Sequence, residues 1–151
     1  MGDVLFYHLT RSPVERALEM LLEKALAAGW RVVVRGTDDA HLQRLDERLW
    51  LGPEERFLPH GLAGGAHDAH QPVLLTTDAA IPNAAACLMS LDGAEVSVQE
   101  ARELTRVCIL FDGADEAALG RARAQWKALS DAGIAAQYWS ERSGRWQKER
   151  G

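Results

Sequence analysis

The spacing of apolar positions changes character repeatedly along the chain. Val4-Leu5-Phe6-Tyr7-His8-Leu9 is a short β-prone run, closed by Thr10-Arg11-Ser12-Pro13. Leu18, Leu21, Leu22, Ala25 and Leu26 then recur at helical spacing, with Glu15, Arg16, Glu19 and Glu23 mostly off that stripe. Ser12 as the cap, Pro13 at the first helical position and Glu15 three residues after the cap predict the start of this helix; Gly29 predicts its end. Trp30 to Gly36 reads as a second strand. Thr37 or Asp38 caps a second helix with the stripe Leu42, Leu45 and Leu49, ended by Gly52-Pro53.

Pro72 to Thr77, Cys87 to Leu91 and Val107 to Phe111 predict three buried strands, with a short helix from Ser97 to Leu104 between the last two. Residues 115–132 carry the clearest late helix, with Leu119, Ala122, Trp126 and Leu129 as its inner stripe. Ile134 to Trp139 reads as a closing strand. The stretch 52–71, rich in glycine and holding an aromatic patch, is expected to be a loop, and Glu141 to Gly151 is polar and expected to fray. Helices separating β-branched strands predict an α/β fold: one three-layer Rossmann-like domain over residues 1–140, its sheet largely parallel with helices on both faces, followed by a polar tail, 141–151.

Charge adds an asymmetry. The net formal charge is −5, but residues 1–120 hold 10 basic and 19 acidic side chains while 121–151 hold 7 and 3. A generally basic nucleic-acid binder is disfavoured, and a local anion-binding patch near the C-terminus is allowed. No apolar run approaches the roughly 20 residues that span a bilayer. Met1 to Phe6 has no basic segment or cleavage site of a signal peptide. Cys87 and Cys108 sit among apolar residues without CxxC spacing, which predicts buried free thiols and a cytoplasmic location.

The usual chemistries of such a fold lack their motifs. The first strand-to-helix turn, His8 to Pro13, has no glycine to let a pyrophosphate approach, and no GxxxxGK[ST] occurs. Gly61-Leu62-Ala63-Gly64-Gly65 has no following Lys-Ser/Thr and reads as a flexible loop. His60, His67, Asp68 and His70 are the best metal-ligand candidates, but they lie in a polar loop with no second ligand pair, so no metal and no cofactor are expected. His60 reads instead as a buttress beside Pro59. There is no GxSxG nucleophile, and neither cysteine has electropositive surroundings. The alternative of a Rossmann-like nucleotide or small-ligand enzyme therefore loses its main support.

Two constellations remain. Trp50 falls at the edge of the second helix's stripe, just before Phe57, Leu58 and Pro59, and is either a satellite core or an exposed anchor for a partner. On the late helix, Arg123 and Lys127 form an i,i+4 pair flanking Trp126. They are either cations complementing the helix dipole or a basic rim suited to a peptide with a terminal carboxylate and a hydrophobic last residue.

Leu45-Asp46-Glu47-Arg48-Leu49-Trp50, followed by Phe57-Leu58-Pro59-His60-Gly61-Leu62-Ala63-Gly64, resembles a signature segment of the chi subunit of bacterial DNA polymerase III. Phe6-Tyr7-His8-Leu9, Phe111-Asp112-Gly113, Arg123 to Lys127, Ala132-Gly133 and Tyr138-Trp139 extend the resemblance over almost the whole chain. The resemblance implies a non-catalytic clamp-loader subunit that links the polymerase to single-stranded-DNA-binding protein (SSB) through that protein's acidic C-terminal tail. Its contact with DNA would be indirect. It also implies binding of a psi subunit or a helicase. Carried over by motif, Arg123, Trp126 and Lys127 would meet the SSB tail, and Trp50, Phe57 and Pro59 would form the psi or helicase surface. Leu119 stands where relatives place a further Lys, which makes the expected tail pocket less basic.

Overall fold

In chain order the elements are β1 (Asp3–Leu9), α1 (Val14–Ala27), β2 (Val32–Arg35), α2 (Asp39–Trp50), β3 (Gly61–Leu62), β4 (Val73–Thr76), β5 (Cys87–Ser90), α3 (Val98–Glu103), β6 (Arg106–Asp112), α4 (Glu116–Asp131), β7 (Ala136–Ser140) and β8 (Gln147–Arg150). They come from a computed structural model that describes residues 3–10, 13–50, 60–65, 67–141 and 147–150. The strands form one sheet in the order β3-β4-β2-β5-β6-β1-β7-β8. All its pairings are parallel except that of β7 with β8. This is the expected three-layer α/β architecture.

Alternation along each strand sends side chains to two cores. Leu5, Tyr7 and Leu9 of β1 join Val32, Val34, Cys87, Met89, Cys108 and Leu110 under α1 and α2. Val4 and Phe6 face the other way, with Val33, Leu88, Ile109 and Phe111, toward α3 and α4. Inner strands are covered on both sides, which is why they read in sequence as continuous apolar runs. The helical stripes dock as their spacing requires: Leu18, Leu21, Leu22 and Ala25 are buried on α1, and Leu42, Leu45 and Leu49 on α2. Both cysteines are buried and free.

Local signals set most boundaries. Asp38 accepts a hydrogen bond from the Ala40 amide and caps α2, Asp115 caps α4 through the Ala117 and Ala118 amides, and Ser97 with Glu100 forms a full capping box on α3. Gly29, at φ +83°, turns the chain out of α1 in a conformation other residues adopt at a cost.

Four expectations need correction. Pro13 occupies the capping position of α1 and not its first helical position; Ser12 lies outside the described residues. Gly61-Leu62, expected within a loop, pairs with Leu74-Leu75 as the edge strand β3. Two residues are too few to show a period, and backbone pairing needs no side-chain pattern. Residues 147–150 of the polar tail pair with β7 as β8, because an edge strand offers unpaired backbone groups whatever the added residues are. Glu19, expected off the buried stripe, is 7% exposed because Arg48 of α2 reaches it, with Nε 2.6 Å from Oε1.

His41 ties three segments together. Its Nδ1 lies 2.7 Å from Asp92 and its Nε2 3.0 Å from Glu15. Burial opposes charging the ring, but hydrogen bonds to the two carboxylates outweigh it and raise the pKa above the ordinary 6.5. Burial likewise opposes ionising Glu15, yet its own backbone amide and His41 hold its pKa below 4.5. The His41 contribution is full below pH 6.5 and is lost as pH rises through the raised value. The Glu15 contribution is present above pH 4.5 and is lost as pH falls through the lowered value. Stability is expected to be greatest between these limits. Urea unfolding as a function of pH checks this: His41→Gln should flatten the alkaline decline, and an unchanged slope would rule out His41 as its source.

Candidate functional site

The two sequence-derived constellations lie toward opposite edges of the sheet. α4 packs over β6 and β7, while α2 packs near β3 and β4. From β3 to β7 there are six strand spacings of about 4.8 Å, roughly 29 Å.

On α4, Ala122 and Leu129 are buried and Leu119 and Trp126 are partly buried against the core that faces α3 and α4, as the stripe predicts. Trp126 is held by aromatic edges. Its ring centroid is 5.2 Å from that of Phe6, at 67°, and 5.9 Å from that of Tyr138, at 78°. Tyr138 Oη shares a 2.7 Å hydrogen bond with His8 Nδ1, and His8 stacks on Phe111 at 5.1 Å. Gly113 completes the seam: a Cβ there would stand 1.9 Å from His8 Nε2, so only glycine admits the ring.

Arg123 and Lys127 are both exposed beside Trp126. Arg123 makes no ion pair among the described residues, whereas Lys127 Nζ lies 2.9 Å from Asp131 at an exposed site. That pairing partly offsets the positive charge, and solvent screening keeps it weak. Sequence reasoning identified Arg123, Trp126 and Lys127, but it missed Phe6, His8 and Tyr138 beneath them. The sequence placed them only in strands, with no face assigned.

At the other edge, Trp50 is 54% exposed and Leu62 37%, the two exposed large hydrophobic residues among those described. The Trp50 ring rests on His60, centroids 4.4 Å apart. His60 is buried, with Nε2 3.1 Å from both the backbone oxygen and Oδ1 of Asp46, so it buttresses the turn. Phe57 and Pro59 lie outside the described residues. Leu62 went unnoticed in the sequence because β3 itself did.

The remaining candidate chemistry is occupied by structure. Asp68 accepts hydrogen bonds from the amides of Gly64 and Gly65, and His67 precedes and His70 ends a single 3-10 turn. No group of three or more metal-ligating side chains occurs among the described residues. At the carboxyl end of β1, the Thr10 amide donates to the Glu141 carboxylate at 3.0 Å. No helix among the described residues is long and apolar enough to cross a membrane.

Comparison with known proteins places the chain in a family. A family model described as "DNA polymerase III chi subunit, HolC" matches residues 1–137. A Rickettsia prowazekii (strain Madrid E) protein named "Probable DNA polymerase III subunit chi" is 26% identical over 108 residues, 71% of this chain and 66% of its own. The DNA polymerase III subunit chi of Escherichia coli K12 is 37% identical over 62 residues, 41% of this chain and 42% of its own. That of Pseudomonas aeruginosa PAO1 is 44% identical over 78 residues, 50% and 54% respectively. Each match covers less than two thirds of the relative's length.

Proposed function

Since the chain belongs to the DNA polymerase III chi subunit family, we propose that it is a non-catalytic accessory subunit of the clamp loader in DNA replication. On this reading it couples the polymerase to SSB by holding that protein's acidic C-terminal tail, so its contact with DNA is indirect. The observation that carries the reading is α4: Arg123, without an ion pair among the described residues, and an exposed Lys127 flank a tryptophan seated on Phe6 and Tyr138. Cations beside a supported aromatic suit an acidic peptide that ends in a hydrophobic residue and a free carboxylate. The acidic balance of the rest of the chain supports a peptide ligand over direct DNA binding.

The exposed Trp50 and Leu62 support a second surface, for a psi subunit or a helicase. The separation of roughly 29 Å leaves room for both partners at once.

Calorimetric titration with an acidic, Phe-ended peptide tests the first surface. Arg123→Ala and Lys127→Glu are each expected to weaken binding about tenfold, and added salt to weaken it further. Trp50→Ala should leave it unchanged. Equal affinity in both α4 variants would remove the site from α4, and loss in all three would indicate a folding defect.

A further inference from the structure

On the face of the sheet opposite α4, a cavity of about 180 Å³ opens between the C-terminal half of α1 and the amino ends of β5 and β6. Its floor is buried: Tyr7, Leu21, Cys87, Met89 and Cys108. Its rim is exposed or half-exposed and carries two cations, Lys24 and Arg106, with Trp30 as a flat wall. An apolar cavity of about 150 Å³ is large enough to hold benzene, so this one admits a single ring with a small substituent.

The charges inside and around it favour one kind of substituent. A hydrogen bond donated by its S–H to Cys87, and then burial, hold the Cys108 thiol protonated, and burial does the same for the Tyr7 hydroxyl, so neither of them adds negative charge to the floor. Lys24 makes no ion pair among the described residues. Arg106 reaches Asp3 through one Nη at 3.3 Å, at an exposed site, and stacks over Trp30 at 5.3 Å. Its Nε is buried without an acceptor. Two cations over a buried, largely apolar floor form a receptor for an amphipathic anion.

We propose that this cavity binds a small free carboxylate carried on one apolar ring, with the ring on the thiol- and thioether-lined floor and the carboxylate between Lys24 and Arg106. The site is independent of the α4 surface, which lies across the sheet.

NMR titration of the whole chain with benzoate, and with benzyl alcohol as the neutral control, tests it. Benzoate is expected to cause saturable shifts at Trp30, Cys87, Met89 and Cys108 while α4 stays still. Benzyl alcohol should bind about tenfold more weakly, and Lys24→Glu, at an exposed position, should cost benzoate a similar factor. Absence of saturable cavity shifts at millimolar benzoate would overturn the proposal, as would equal binding of the alcohol or an unaffected Lys24→Glu. If the acidic peptide moves the cavity residues and not Arg123 and Trp126, the ligand is a chain terminus. That result would overturn both the small-molecule assignment and the α4 reading, whereas failure of benzoate alone leaves the latter intact.

Discussion

Arg35→Met is expected to destabilise the protein by about 3–5 kcal/mol, the cost of stranding one partner of a buried ion pair. Arg35 is 4% exposed at the carboxyl end of β2. Its five N–H groups are all used. Nε donates to the Asp78 carbonyl, Nη1 to the Glu95 carbonyl and Glu100 Oε1, and Nη2 to the Ala79 carbonyl and Glu100 Oε2. The guanidinium therefore binds the chain after β4, the approach to α3 and the first turn of α3 to one point. Hydrogen bonding from Arg35 also holds the Glu100 carboxyl below its usual 4.5, so the pair remains ionised well into mild acid. Removing the cation leaves the Glu100 carboxylate with the Ser97 amide alone and three carbonyls without their guanidinium donor. Arg35→Lys should recover little, because a single ammonium cannot span five acceptors. Denaturant unfolding measures the loss, equivalent to roughly 6–20 °C in melting temperature for a domain of this size. A loss below about 1 kcal/mol would place the network outside the stability of the fold.

Phe6→Ala is the second large effect, also expected at about 3–5 kcal/mol. Phe6 is fully buried in β1, and its ring meets the edge of Trp126. Truncation opens a void between the sheet and α4, and Trp126 loses one of its two aromatic supports. The consequence should extend beyond stability. Near-ultraviolet circular dichroism should lose intensity as the indole becomes mobile, and affinity for the acidic peptide should fall although no cation has changed. Phe6→Leu fills most of the volume and is expected to cost less than half as much. If Phe6→Ala leaves the tryptophan signal intact, the aromatic seam does not position Trp126.

The two variants differ in how far they were foreseeable. Phe6 follows from alternation: in Val4 to Leu9 every second residue must share a face, and an aromatic in a strand covered on both sides is buried. The α4 surface was equally accessible, since Arg123, Trp126 and Lys127 are near neighbours on a helix and their relative placement depends only on local geometry. Arg35 gave no such signal. An arginine ending a strand resembles any solvated charge, and its five acceptors come from segments 43 to 65 residues away. Glu19 and Arg48 escaped notice for the same reason, being 29 residues apart.

By itself the sequence determined the order and type of the main elements, the cap of α2, the faces turned to the core and the basic edge of α4. Each of these depends on φ/ψ preferences and side-chain spacing within about a dozen residues. Only the tertiary structure decided that β1 lies between β6 and β7, that β3 and β8 join the edges, and that Arg35 reaches Glu100. It alone brought Lys24, Trp30, Cys87 and Arg106 around one cavity. Strand adjacency and buried charge pairing are properties of segments that meet only when the chain closes over itself, and no local period encodes which distant backbone will be there to receive them.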